Sequence, residues 1–146
     1  MARRNQGRWA RIGFWMVGTP IDLGRGRLIL HVDDDRDTNM LYASFLRRAG
    51  FRVADARTGV QGVERALELS PALILMDLVM PITDGFEATR RLKHHRRTLH
   101  IPILILTAHA YQGPIRMAEQ AGANGFLLKP VVRETLIDKI DELLAA

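Results

Sequence analysis

The residues able to do chemistry in this 146-residue chain sit at repeated, equivalent places. Asp33, Asp34 and Asp35 follow one short apolar run, Asp77 follows a second, Thr107 a third, and Lys129 with Pro130 a fourth. Clustered carboxylates repel one another unless a cation or protons neutralise them, so two or three of these aspartates brought together would form a hard-cation site. Magnesium (Mg2+) suits such a site, because it prefers oxygen ligands and commonly bridges one or two carboxylates to phosphate oxygens. An ammonium from Lys129 and a hydroxyl from Thr107 would bind the oxygens of a transferring phosphoryl group. Asp77, alone at the end of its run, is then the candidate nucleophile, since carboxylates can form aspartyl phosphates. Taken singly, each feature is a weak signal: Asp suits a helix cap, and Lys-Pro suits a turn. Their joint occurrence is the signal.

The elements that must position these groups are legible as apolar runs alternating with stretches of helical period, the pattern of a parallel sheet with crossover helices. The runs are Leu28 to Val32, Phe51 to Ala54, Leu73 to Met76, Ile103 to Leu106 and Phe126 to Leu128. Between them, Met40, Leu41, Phe45 and Leu46 make an apolar stripe on a first helix that Gly50 stops. Thr58 and Gln61 make a capping-box start for a second helix, which ends at Ser70-Pro71. Asp84 caps a third helix, running through Phe86 and Leu92; Pro114 and Gly122 bound a fourth; a fifth puts Val132, Leu136, Ile140 and Leu143 on one face. The expected fold is therefore α/β: a doubly wound, five-stranded parallel sheet of order 2-1-3-4-5, flavodoxin-like, (βα)5. In such sheets the ligand site lies beyond the carboxyl ends of the strands, where the chemistry-bearing residues fall. His31, inside the first strand with no second ligand at metal spacing, reads as a hydrogen-bonded structural histidine.

Charge divides the chain. Residues 1–27 hold six arginines against the single acid Asp22, so this leader carries the whole net charge of +5 and residues 28–146 balance to zero. Its apolar stretch, Ile12 to Val17, is too short to span a bilayer, which takes about twenty residues, and it lacks a secretory cleavage pattern. The leader is expected to be a poorly ordered basic extension, dispensable for chemistry, with residues 28–146 forming the domain. With no cysteine in the chain, a thiolate metal site is excluded and a cytoplasmic location is expected.

Ile29-Leu30-His31-Val32-Asp33-Asp34-Asp35, Leu75-Met76-Asp77-Leu78-Val79-Met80-Pro81, Asp84-Gly85, Ile105-Leu106-Thr107-Ala108 and Gly125-Phe126-Leu127-Leu128-Lys129-Pro130 together resemble the receiver domains of two-component response regulators over residues 28–146. The resemblance implies a chemotaxis-regulator-like fold in which Asp77 takes a phosphoryl group from the phosphohistidine of a histidine kinase or histidine phosphotransfer protein. It implies that Asp33, Asp34, Asp77 and the backbone carbonyl of Val79 hold Mg2+, that Thr107 and Lys129 contact the phosphoryl oxygens, and that the Lys129-Pro130 bond is cis. Thr107 and Phe126 would form the switch, reshaping a partner face made by the fourth helix, fifth strand and fifth helix. Phe126 lacks a hydroxyl, so only packing can distinguish its two states. Val79 and His109, each two residues after a pocket residue, would set the lifetime of the phosphorylated state.

Other readings compete less well. Asp33-x-Asp35 matches the start of haloacid-dehalogenase-like phosphatases, yet Asp37 stands where Thr or Val belongs and Asp77 is left unexplained. A receiver-like scaffold that is never phosphorylated usually lacks a pocket residue, and here all are present. The cluster Arg90, Arg91, Lys93, His94, His95, Arg96 and Arg97 reads as a solvated helix end, so no direct nucleic-acid contact is expected. The chain fits either a stand-alone signalling receiver or a fragment of a hybrid histidine kinase. No transmembrane segment is expected.

Overall fold

The computed structural model describes residues 26–78, 80, 85–108 and 112–146. The leader through residue 25, the Asp84 cap, Val79 and His109 lie outside the described residues. Five βα units follow one another: β1 (Leu28–Val32), α1 (Arg36–Arg48), β2 (Arg52–Ala56), α2 (Gly59–Leu69), β3 (Leu73–Met76), α3 (Gly85–Lys93), β4 (Ile103–Thr107), α4 (Gln112–Ala121), β5 (Gly125–Leu128) and α5 (Arg133–Ala145). The strands pair in parallel in the order β2-β1-β3-β4-β5, as the alternation of runs predicts.

Side chains alternate across the sheet, and each face is sealed by helices. On one face Leu30, Val32, Ile74, Met76, Ile103 and Ile105 pack with Ala66 of α2, Ala88 and Leu92 of α3, and Ala118 of α4. On the other, Ile29, Leu73, Leu75, Leu104 and Leu106 pack with Tyr42 and Leu46 of α1 and with Leu136 and Ile140 of α5. Burial on both faces is why β3 and β4 read as unbroken apolar runs. β2 is an edge strand, largely exposed or half-buried, and runs to Ala56 beyond the expected end at Ala54. A polar Asp55 is tolerated there, so hydropathy does not mark the strand's true extent.

Helix ends follow local chemistry. The Thr58 side chain accepts from the Gln61 N–H at 3.0 Å, while Gln61 Oε1 accepts from the N–H of Arg57, one residue before the cap. Gly50, at φ 99°, takes the left-handed turn that lets the chain leave α1 for β2. Gly26 and Arg27 already bond to the fold, through Gly50 O and the Arg52 N–H. Two helix faces differ from expectation. α1 buries Asn39, Tyr42, Ala43 and Leu46, leaving Met40 and Leu41 exposed, and Val132 precedes α5 as an exposed cap. The face of α1 is chosen by the approach of β1 and α5, not by its most apolar side chains. We expect Leu46→Ala to cost about 3 kcal/mol and Met40→Ala to stay within about 0.5 kcal/mol, measured by urea unfolding.

Candidate functional site

The register determines which strand ends meet. His31 pairs with Leu75 and Val32 with Met76, so Asp33 and Asp77 emerge side by side, and the Asp77 N–H donates to Val32 O at 3.0 Å. β1 and β3 are also where the chain's winding reverses, the crevice in which open α/β sheets bind ligands. Thr107 ends β4 opposite Leu128 of β5, and its carbonyl accepts from the Lys129 N–H at 2.8 Å. The Lys129-Pro130 bond is cis, as expected from the resemblance.

One carboxylate oxygen each from Asp33, Asp34 and Asp77 lie within 4.8 Å of one another. Asp33 and Asp77 are buried and Asp34 is exposed. Asp35 faces away from this trio and caps α1, accepting from the Asp37 N–H and from the Thr38 hydroxyl at 2.7 Å. The Thr38 hydrogen bond holds the Asp35 carboxyl below the usual carboxylate range. The Lys129 ammonium, mostly buried, bonds Asp33 Oδ2. Asp77 accepts from the Leu78 N–H at 2.9 Å. Burial pushes the Asp77 carboxyl up, and the Asp33 charge adds to this; Lys129 and a hydrogen bond from Thr107 oppose it. Three carboxylate oxygens this close, two of them from buried residues, fit a hard divalent cation: Asp33, Asp34 and Asp77 would hold Mg2+.

Two residues support the site from the backbone side: Asn39, which carries no signal in the sequence pattern beyond its type, and Gly85, part of the Asp84-Gly85 match. Asn39 Nδ2 donates to the backbone carbonyl of Asp33 at 2.7 Å, fixing the loop that carries it. A Cβ on Gly85 would lie 2.0 Å from the Asp77 carbonyl oxygen, so only glycine lets α3 start this close to Asp77. Phe126 is half-buried against the α2–α4 face of the core. Within the basic cluster, Arg90 and Arg91 pair with Glu87, His94 Nδ1 lies 2.8 Å from Arg90 O, and Lys93 Nζ donates to Leu99 O and Ile101 O. These bonds close the end of α3.

The profile of the family described as "Response regulator receiver domain" matches residues 29–141. The chain belongs to this family. The receiver domain is 37% identical over 117 residues to the protein PilH of Pseudomonas aeruginosa, covering 80% of this chain and 97% of that one. It is 36% identical over 119 residues to the chemotaxis protein CheY of Halobacterium salinarum, covering 81% and 97%. Its fold is similar to the crystal structure of a sensor histidine kinase's receiver domain from Pseudomonas aeruginosa, which has a magnesium ion coordinated in the active-site cleft. That likeness has a TM-score of 0.79 and 34% identity, and covers 83% of this chain and 99% of that one. No helix among the described residues is long and apolar enough to cross a membrane.

His31 departs from expectation. It is 1% exposed, yet neither ring nitrogen has a hydrogen-bond partner among the described residues; Nε2 is 3.9 Å from Asp33 Oδ2, and the ring stacks edge-on against Tyr42. The Tyr42 hydroxyl oxygen accepts from the Val131 N–H. Burial drives the His31 pKa down to about 4 against the opposing charge of Asp33. The unfolded chain therefore takes up a proton near pH 6.5 that the folded chain refuses until about pH 4, so stability falls as pH drops through that window. We expect this loss to be on the order of 3 kcal/mol and to be absent in His31→Phe, as read from denaturation midpoints across that range. Asp77 works in the opposite sense. Its raised carboxyl makes ionisation costlier in the folded state, so stability declines as pH rises through the carboxylate range. Asp77→Asn should have a higher thermal midpoint than wild type in metal-free neutral buffer.

Proposed function

We propose that this receiver domain accepts a phosphoryl group from a phosphohistidine onto Asp77 in a magnesium-dependent reaction and thereby switches a protein-binding face. The observation that carries the reading is the convergence of Asp33, Asp34 and Asp77 within 4.8 Å, with the Lys129 ammonium on Asp33. An Asp77 carboxylate oxygen attacks phosphorus, the phosphorus–nitrogen bond of the donor breaks, and the electron pair leaves with the donor imidazole. Asp33, Asp34, Asp77 and the Val79 carbonyl would hold magnesium, which when bound would supply neutralising positive charge at the acidic cluster. Lys129 exchanges its Asp33 partner for a phosphoryl oxygen, and Thr107 donates its hydroxyl to another. Movement of Thr107 frees space for Phe126 to turn inward, reshaping the face of α4, β5 and α5 toward a downstream protein. The donor is a histidine kinase or a histidine phosphotransfer protein.

Incubation with magnesium and acetyl phosphate should add one phosphoryl mass to the full chain and none to Asp77→Asn. Absence of any gain in the wild-type chain would leave a receiver-like interaction scaffold. The lifetime of the phosphorylated state is assigned to Val79 and His109, which would flank the path of the in-line water. Apolar Val79 cannot orient that water, so self-dephosphorylation is slow, suited to a relay. Val79→Asn should accelerate phosphate release, timed after donor removal; an unchanged rate would remove Val79 from this role.

A further inference from the structure

Behind Asp33, between α1 and β2, lies a cavity of about 170 Å3. Its lining includes His31, Asn39, Arg57, Arg36, Arg47 and Asp55. Three of these present buried polar atoms with no hydrogen-bond partner among the described residues: both ring nitrogens of His31, Asn39 Oδ1 and Arg57 Nε. His31 is 1% and Asn39 7% exposed, so their unmet groups are not simply solvated. Unpaired buried groups of this kind are costly, and their convergence on one space points to an occupant that satisfies them together.

The chemistry of that occupant can be read from the lining. Three arginines line the space against one acidic residue, Asp55, a balance that favours an anion over a cation. Asp55 Oδ2 is 3.9 Å from Arg57 Nε, beyond hydrogen-bond distance, so the Nε–H remains available to an acceptor. Asn39 sets a second condition. Its Nδ2 donates to the Asp33 carbonyl, which can only accept, so the amide orientation is determined and Oδ1 must face a donor. The cavity is smaller than the roughly 300 Å3 at which pockets for organic ligands usually begin, and would otherwise hold roughly five or six waters.

We propose that this cavity is a binding site for a small oxyanion that also carries a hydroxyl proton, such as hydrogen phosphate or a short hydroxycarboxylate. The acidic oxygens take the Arg57 Nε–H and the neighbouring guanidinium groups, the hydroxyl donates to Asn39 Oδ1, and His31 donates or accepts as its tautomer requires. The site lies outside the acidic trio and is joined to it through Asn39, which holds the Asp33 carbonyl. It does not depend on the phosphoacceptor reading of Asp77.

The test is side-chain NMR on the full chain in magnesium-free buffer at constant ionic strength. Inorganic phosphate and glycolate are added in separate series, with sulfate as an anion that lacks the proton at neutral pH. Saturable shifts of the Asn39 Nδ2 and Arg57 Nε signals with phosphate or glycolate are expected, and which of the two binds tighter identifies the source chemistry. Binding should persist in Asp77→Asn, weaken about tenfold in Arg57→Gln read at Asn39, and be about tenfold weaker for sulfate. Arg57→Gln keeps the backbone N–H that Gln61 caps, so the fold is retained. No saturable shift with either anion, equal affinity in Arg57→Gln, equal affinity for sulfate, or loss of binding in Asp77→Asn would each overturn the proposal.

Discussion

Two carboxylates that repel one another, Asp33 and Asp77, are held in adjacent, mostly dry positions at the crevice between β1 and β3. Like charges so placed are unfavourable without a counterion, and the fold meets this with one ammonium, Lys129, delivered from the far side of the sheet by β5. The cluster is least favourable with neither a further cation nor a proton present, because only these neutralise carboxylates so placed.

The rest of the molecule keeps this unfavourable cluster from relaxing. The apolar strands on either side admit no slip, since a one-residue shift would exchange the two faces of β3 and bury its side chains against the wrong helices. Asn39 ties the Asp33 carbonyl to α1, and the absence of a side chain at Gly85 allows α3 to begin against the Asp77 carbonyl. Both act on the backbone that carries an acidic residue, not on its carboxylate. They also show why the α1 side of the sheet matters: the same helix that steadies Asp33 lines the cavity containing His31 and Arg57.

Much of the fold was legible because burial on both sheet faces leaves its mark on consecutive residues. β1 and β3 begin and end where the apolar runs do, and β4 extends the run by Thr107 alone. Edge and surface elements were less legible. β2 reaches past its apolar run into Asp55 and Ala56, because an edge strand needs hydrogen-bonding partners more than hydrophobic ones. The α1 stripe was misread because Met40 and Leu41 are apolar but turned to solvent, while Asn39 is polar and buried on account of its bond to Asp33.

The amino-acid sequence by itself determined the order of elements, the strand ends at which chemistry-bearing residues fall, and the separation of a basic leader from a neutral domain. These depend on local periodicity and on residue type, which a linear chain displays. Three consecutive aspartates look alike by residue type; the resemblance placed Asp33 and Asp34 with Asp77, and the tertiary structure brings those three together while turning Asp35 to cap a helix. It also decided that His31 is buried without a hydrogen-bond partner among the described residues. A histidine in a strand gives no sign of what faces it, and here it meets the ring of Tyr42 edge-on. Whether a polar group is satisfied depends on neighbours distant in sequence, and only the packed fold brings those neighbours into place.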